Sequence, residues 1–177
     1  MDKLLERLKN GEMNAFDEIV EYYEKKLLYI AIVRTKDEII SKEAVQDTFI
    51  CLYMNIKKLN KVKNFNSWII KILINNCNRK YMKKKVTEVS FEGMNAEVFI
   101  HDDYDIEKAI DKMNFFELIS VLNEDDRTIF TLYYKDNYNT KEIAEIMNMN
   151  ENTIRTRMRR AREIIKKNLK GGEWDER

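Results

Sequence analysis

Apolar residues recur along most of this chain at intervals of three and four, the spacing of one face of an α-helix. Residues 2–9 predict a short helix ending near Gly11. A long helix follows over about 15–33, with Phe16, Ile19, Tyr23, Leu27, Ile30 and Ala31 on its core face and Glu18, Glu21, Glu24, Lys25 and Lys26 opposite. The next runs from about Ile39 to Leu59, with Ala44, Val45, Thr48, Leu52 and Ile56 inward; Gln46, Asp47 and Ile50 fall elsewhere, and by pattern alone Gln46 and Asp47 are ordinary solvated surface. A loop over 60–66 leads to a third core helix, capped by Asn66 or Ser67, whose stripe is Trp68, Ile69, Ile72, Leu73 and Cys77. The period is lost from 86 to about 105 and returns with a helix over 106–122, inward at Ile106, Ala109, Ile110, Met113, Ile119 and Leu122. Asn123 caps a helix from Glu124 to about Tyr134 that buries Ile129, Leu132 and Tyr133.

The last patterned stretch, Asn139 to Lys167, holds two helices a few residues apart. Asn139 or Thr140 caps the first and Asn150 the second, while Asn148 suits the left-handed turn between them. Ile143, Ala144 and Met147 face Ile154, Met158, Ala161 and Ile165, and Ala144 is small enough for a close crossing. This is the pattern of a helix-turn-helix, whose second helix enters a DNA major groove. The fold class expected is all-α: helical domains at 1–87 and 108–177, the second carrying the helix-turn-helix, joined by a flexible acidic linker at 88–107.

Charge sharpens the picture. The net charge of +1 hides alternating blocks. Residues 57–85 hold ten basic and no acidic residues, 86–126 hold two basic and twelve acidic, and 153–170 hold eight basic and one acidic. Two basic blocks around an acidic one suggest two contacts with a polyanion and a connector that avoids it. In the first block Lys71, Asn75, Asn76, Arg79, Lys80, Lys83 and Lys84 lie off the apolar stripe, near Tyr81. Cations beside amides and an aromatic suit unpaired nucleic acid, whose bases stack and accept hydrogen bonds. In the second block the cations are mostly Arg, able to grip guanine or phosphate in two places. Arg155, Thr156 and Arg159 share a face, Arg160 borders it, and Arg157 and Arg162 are left for flanking phosphates or the surface.

Composition excludes other classes. No run reaches the ~20 apolar residues of a membrane helix, and the start is an amphipathic helix and no secretory signal. Cys51 and Cys77 show no metal spacing and read as reduced thiols of a cytoplasmic protein. The lone His101 lies in the linker without ligand partners and is expected in solvent. No phosphate-binding glycine loop or nucleophile–base pair is present, so no catalytic residue, metal or cofactor is expected.

Three segments in order resemble a known family. AVQDTFICLYMNIKKL (44–59), FNSWIIKILINNCNRKYMKKK (65–85) and LNEDDRTIFTLYYKDNYNTKEIAEIMNMNENTIRTRMRRARE (122–163) are similar to the polymerase-docking, −10-reading and −35-reading segments of the extracytoplasmic-function (ECF) sigma factors of the sigma-70 family. The family often carries Pro at 123, Gly at 137 and 148, and Ser at 139 and 150, where this chain has Asn throughout; a family Trp corresponds to Tyr53, expected to remain a buried aromatic. The resemblance implies an alternative sigma factor that binds core RNA polymerase (β and β′ subunits) and opens specific promoters. Gln46, Asp47 and Phe49 would meet the polymerase clamp. Asn75, with Asn64, Asn66, Ser67 and Arg79, would capture a flipped −10 base, with Lys71, Lys80, Lys83 and Lys84 along the backbone. Arg155, Thr156, Arg159, Arg160 and Arg162 would face the −35 element, although family members vary at Arg159. An anti-sigma partner is implied, which could hold the cytoplasmic protein at the membrane. The competing classes are a helix-turn-helix repressor, which needs a dimer seam and leaves 57–85 idle, a helical interaction protein that touches no DNA, and an enzyme; co-purification with the large polymerase subunits separates the first reading from all three.

Overall fold

The computed structural model describes residues 1–62, 64–87 and 115–171, without the side chains of 60, 61, 84–87, 166 and 169–171. Among these the chain is all-α. It divides into two compact units, Met1–Ala96 and Glu97–Arg177. The expected linker at 88–107, His101, the first part of the 106–122 helix and the tail beyond 171 lie outside the described residues.

In the first unit the helices are α1 (Asp2–Lys9), α2 (Asn14–Thr35), α3 (Glu38–Met54) and α4 (Phe65–Thr87), with a 3₁₀ helix over Ile56–Lys61. Gly11, at φ +89, makes the turn after α1 in a conformation that other residues resist. α2 packs against α1, α3 and α4. Its Ile19, Tyr23, Leu27, Ile30 and Ala31 are buried as their spacing predicts, with Phe16 half-buried at the margin. Each large apolar side chain so enclosed is worth about 1.5–3 kcal/mol. Ala31 and Ala44, both fully enclosed, keep facing helix backbones close. α2 ends at Lys36, left-handed at φ 52, and Asp37 immediately caps α3 by accepting from the Ile40 amide at 2.9 Å.

Two helix boundaries differ from the sequence expectation. α3 stops at Met54, because the Asn55 side-chain amide donates to the Cys51 carbonyl at 2.8 Å and the chain tightens into the 3₁₀ helix. That turn buries Leu59 and packs against α1. α4 begins at Phe65, and its cap is Asn64, whose Oδ1 accepts from the Ser67 amide at 3.1 Å, so neither Asn66 nor Ser67 does that work. Ile70 and Ile74 join Ile69, Leu73 and Cys77 in the core because α4 meets α2 and α3 on two sides, while Trp68 and Ile72 are half-buried.

In the second unit a helical turn over 115–119 ends before Leu122 and precedes α5 (Glu124–Tyr134), α6 (Thr140–Met147) and α7 (Glu151–Gly171). Lys135 Nζ sits 5.0 Å from the centre of the Phe115 ring, tying that turn to α5. Asn123 caps α5, accepting from the Asp126 amide at 3.0 Å. Asn139 and Glu142 form a reciprocal capping box on α6. Asn137 and Asn148 take positive φ, 58 and 53, and Asn150 Oδ1 accepts from the Asn152 amide at 2.8 Å at the start of α7. All five asparagines therefore do the turning and capping jobs expected of them. Ile143, Ala144, Met147, Ile154, Met158, Ala161 and Ile165 are buried as predicted, joined by Phe130, Ile146 and Tyr138; Tyr133 is only half-buried.

Candidate functional site

The start of α4 is fastened to α2 by aromatic residues. Phe65 is buried, stacked on Trp68 at 5.7 Å between ring centres and met edge-on by Tyr23 at 5.6 Å. The Tyr23 hydroxyl donates to Asn66 Oδ1. Asn64 and Asn66 are exposed beside this cluster and Ser67 is half-buried. From Ser67 the helix carries Lys71, Asn75, Arg79 and Lys83 at steps of four, a stripe that winds slowly round the surface because four residues slightly exceed one turn. Lys71 is half-buried and Asn75, Arg79 and Lys83 are exposed. The side chain of Lys84 lies outside the described residues.

Asn76, expected on a polar face, turns inward. It is 8% exposed, and its amide donates to Thr48 Oγ1 at 3.1 Å, while that hydroxyl donates to the Ala44 carbonyl at 2.7 Å. Asn78 Oδ1 accepts from buried Arg34 at 2.9 and 2.7 Å. Asn76, read as surface, and Asn78, to which no role was given, thus fasten α4 to its neighbours.

Asp47 is more than a solvated residue. Its carboxylate lies 3.1 Å from Arg79 Nη2 and 3.0 Å from Lys80 Nζ, and Lys80 is also 2.9 Å from Glu43. Burial alone would lower the Lys80 pKa, but hydrogen bonds to Glu43 and Asp47, and their charges, outweigh it and raise it. The sequence-predicted polymerase contact and two sequence-predicted DNA contacts therefore meet in one charged cluster between α3 and α4.

On the other side of α3, Gln46 is exposed and Phe49 half-buried. Both line an open groove of about 690 Å³ between α2 and α3, with Phe16, Val20, Leu28, Val45, Ile50 and Tyr53 among its walls. Tyr53 is half-exposed, edge-on to Phe16 at 5.7 Å, and is not the buried aromatic expected, because α3 ends one residue later and nothing covers that face among the described residues. The exposed Ile50 and Tyr53 join the groove wall, and the signal for this in the sequence was apolar residues off the core stripe.

In the second unit α7 turns Ile154, Met158, Ala161 and Ile165 inward and Arg155, Thr156, Arg159, Arg160 and Arg162 outward. Arg155 folds back on Glu151 at 2.6 Å, and Thr140 donates to the same carboxylate at 2.8 Å. Those two hydrogen bonds, the one from Arg155 first, hold the Glu151 carboxyl below its ordinary pKa. Arg159 pairs with Glu163 at 3.1 Å, and Arg162 donates to the Tyr134 hydroxyl at 3.1 Å. Arg157 departs from expectation: it reaches inward to Asp126 at 2.7 Å and Asp125 at 3.2 Å on α5. Its guanidinium braces the recognition helix and is not available to a flanking phosphate while so engaged. Among the described residues no group of side chains could hold a metal ion.

The chain is similar to known proteins. The sigma-70 region 2 family model matches residues 19–87 and the sigma-70 region 4 model residues 112–165. The chain is 28% identical over 179 residues to the ECF RNA polymerase sigma factor SigW of Bacillus subtilis, covering 95% of this chain and 96% of that one. It is 26% identical over 182 residues to the ECF RNA polymerase sigma-E factor of Haemophilus influenzae, covering 94% and 93%. Among solved structures, the fold is similar to the sigma factor RpoE of Bartonella quintana in complex with the anti-sigma factor NepR, with a TM-score of 0.72, 20% identity and coverage of 88% and 96%. It is likewise similar to CnrH in complex with the cytosolic domain of CnrY, at 0.67, 17%, 95% and 96%. With both regions matched in order and ECF relatives aligned over nearly their whole length, the chain belongs to the ECF group of the sigma-70 family, the alternative sigma factors that direct transcription to particular promoters.

Proposed function

We infer that this sigma factor docks on core RNA polymerase, through its β and β′ subunits, with residues 1–87, reads the −10 element with the same domain, and reads the −35 element with residues 108–177. Gln46, Asp47 and Phe49 meet the clamp, and the groove they border supplies apolar area beside the polar contacts. Asn75, with Asn64, Asn66, Ser67 and Arg79, receives an unstacked base, while Lys71, Lys80, Lys83 and Lys84 follow the sugar-phosphate backbone. The factor itself needs no catalytic group or cofactor. The Bartonella quintana relative is in complex with an anti-sigma factor and CnrH with the cytosolic domain of CnrY, and we extend an anti-sigma partner to this chain. The site of action is the cytoplasm, with retention at the membrane when the anti-sigma factor is membrane-bound; among the described residues no helix is long and apolar enough to cross a membrane.

The exposed face of α7 carries this function. Arg155 and Thr156 stand in the second turn of α7, close to its N-terminal end, where recognition helices meet base edges, with Arg159 and Arg160 one turn on. Arg155 and Arg159 are held against the helix surface by exchangeable ion pairs to Glu151 and Glu163. The experiment is transcription by core polymerase with and without the protein on a genomic fragment library, followed by selection on randomised −35 sites. Arg155→Ala and Arg160→Ala are expected to lose about 1–3 kcal/mol at the cognate site and relax particular base positions. Arg162→Ala is expected to weaken all sequences alike. No protein-dependent transcript from any fragment would overturn the function, and uniform weakening by the Arg155 and Arg160 variants would make them phosphate clamps.

A further inference from the structure

Tyr23 is 1% exposed in the middle of α2, yet its hydroxyl reaches the exposed first turn of α4 and donates to Asn66 Oδ1. The phenol has little freedom to swing away. Its ring is held edge-on to Phe65, which is itself buried and stacked on Trp68. Asn66 is exposed, and among the described residues its Nδ2 has no hydrogen-bond partner. A side-chain amide carries an acceptor oxygen and a donor nitrogen, and half a turn about its last bond exchanges them. A free surface amide therefore accepts either kind of partner. Here the oxygen is held from below, and the edge left to the surface is the N–H₂ group.

We propose that Tyr23 is a positioning residue for promoter specificity: by holding Asn66 Oδ1 inward it turns the N–H₂ group toward the surface, so that the unpaired base it meets is favoured when it presents an acceptor, a carbonyl oxygen or a ring nitrogen. This rests on the reading above that Asn66 touches the unpaired −10 strand. The source of selectivity is the cost of the wrong pairing. A base that turns an amine or ring N–H to the held amide sets donor against donor, and both groups lose the water they had bonded. T and C exchange donor and acceptor at ring positions 3 and 4, as do A and G at positions 1 and 6, so a held amide that meets those atoms separates the members of each pair. A residue that never touches DNA thereby sets which of them is accepted.

The test uses holoenzyme assembled from core polymerase and full-length wild-type, Asn66→Ala, Tyr23→Phe or doubly substituted protein. Abortive initiation is measured on templates carrying each base in turn at every −10 position. Asn66→Ala is expected to flatten the preference at one position. Tyr23→Phe is expected to narrow the T-against-C or A-against-G discrimination at that same position by about five- to tenfold, the worth of roughly one hydrogen bond. Activity on the best promoter should fall by less than about threefold, since the freed amide still offers its donor edge in half its orientations. The double variant should match Asn66→Ala. Wild-type preference in Tyr23→Phe alongside a flattened Asn66→Ala overturns the positioning role and leaves the Asn66 contact standing. No change at any position in Asn66→Ala removes the contact, and the positioning role with it. A Tyr23→Phe protein that loses activity equally on every template, with a lowered melting temperature, shows a structural tyrosine only and also overturns the proposal.

Discussion

Arg157 decides whether the recognition helix is held by electrostatics or only by its apolar face. Arg157→Ala removes the bonds of 2.7 Å to Asp126 and 3.2 Å to Asp125. The Asp126 side chain is 8% exposed and retains one neutral donor, Asn123 Nδ2, at 2.7 Å. Unit charges ~4 Å apart attract by roughly 4 kcal/mol at an effective dielectric constant near 20. That is an upper figure, because the Arg157 side chain is 30% exposed and water screens it. A charge-assisted hydrogen bond nets about 1.5–3 kcal/mol, and breaking a fully buried pair costs about 3–5 kcal/mol. With one partner buried and the other a third open, a loss of about 2–3 kcal/mol follows. Asp125→Ala, at the longer and wetter contact, should lose about 0.5–1 kcal/mol. In a unit of this size each kcal/mol moves the melting temperature by about 4–8 °C. The full-length variants are melted by circular dichroism, with hydrogen exchange at the Ile129 and Met158 amides to report the second unit alone. An Arg157→Ala, Asp126→Ala cycle should give a coupling energy of about 1.5–2.5 kcal/mol. The opposite result would be an Arg157→Ala protein of unchanged stability whose holoenzyme binds promoters with a salt slope shallower by about one. Arg157 would then be a phosphate contact, and the inward ion pair would count for nothing.

Four further outcomes are expected. Thr131 is fully enclosed and among the described residues its Oγ1 has no hydrogen-bond partner, so Thr131→Val should raise stability by about 1 kcal/mol in denaturant titration, and a loss would mean the hydroxyl is satisfied after all. Lys36 holds φ 52 between α2 and α3, a conformation costing a side-chain-bearing residue about 1–2 kcal/mol; after the entropy glycine forfeits on folding, Lys36→Gly should gain about 0.5–1 kcal/mol, read as a higher melting temperature. Burial pushes the Cys77 thiol up to about 11 against the opposing charge of Arg34, and burial with the charges of Asp136 and Glu142 pushes the Tyr138 phenol up to about 12. Both pKa values are raised on folding, so the stability they contribute is complete below about pH 8.5 for the thiol and pH 10 for the phenol, and is lost as pH rises through the folded values. Urea midpoints should therefore fall between about pH 9 and 12, and a chromogenic thiol reagent at pH 8 should modify half-buried Cys51 well before Cys77; equal rates would show that the α4 core opens readily.

Much of the site was legible because its determinants are local. The exposed arginines of α7 follow from where Ile154, Met158, Ala161 and Ile165 must go, since helical geometry places the remainder outside. The stripe Lys71, Asn75, Arg79 and Lys83 follows in the same way from Ile69, Leu73 and Cys77. The groove between α2 and α3 did not, because Ile50 and Tyr53 could as well have been covered by another helix. Asn76 and Arg157 were misplaced for a related reason. Each is polar at a helix border, where the residue on the neighbouring helix decides between solvent and a buried partner.

The amino-acid sequence by itself determined the helices, the asparagine caps and left-handed turns of the second unit, and the alternation of charge. Those depend on hydrogen bonds and φ angles within about four residues of chain, and on the hydrophobic period. Tertiary structure alone decided which polar side chains became fasteners. Tyr23 reaches Asn66 across 43 residues, Arg34 reaches Asn78 across 44, Asn76 reaches Thr48 across 28 and Arg157 reaches Asp126 across 31. At such separations no local pattern records the pairing. It forms because packing of the apolar faces brings the two groups together and excludes water from the buried member of each pair, which makes the other its necessary partner.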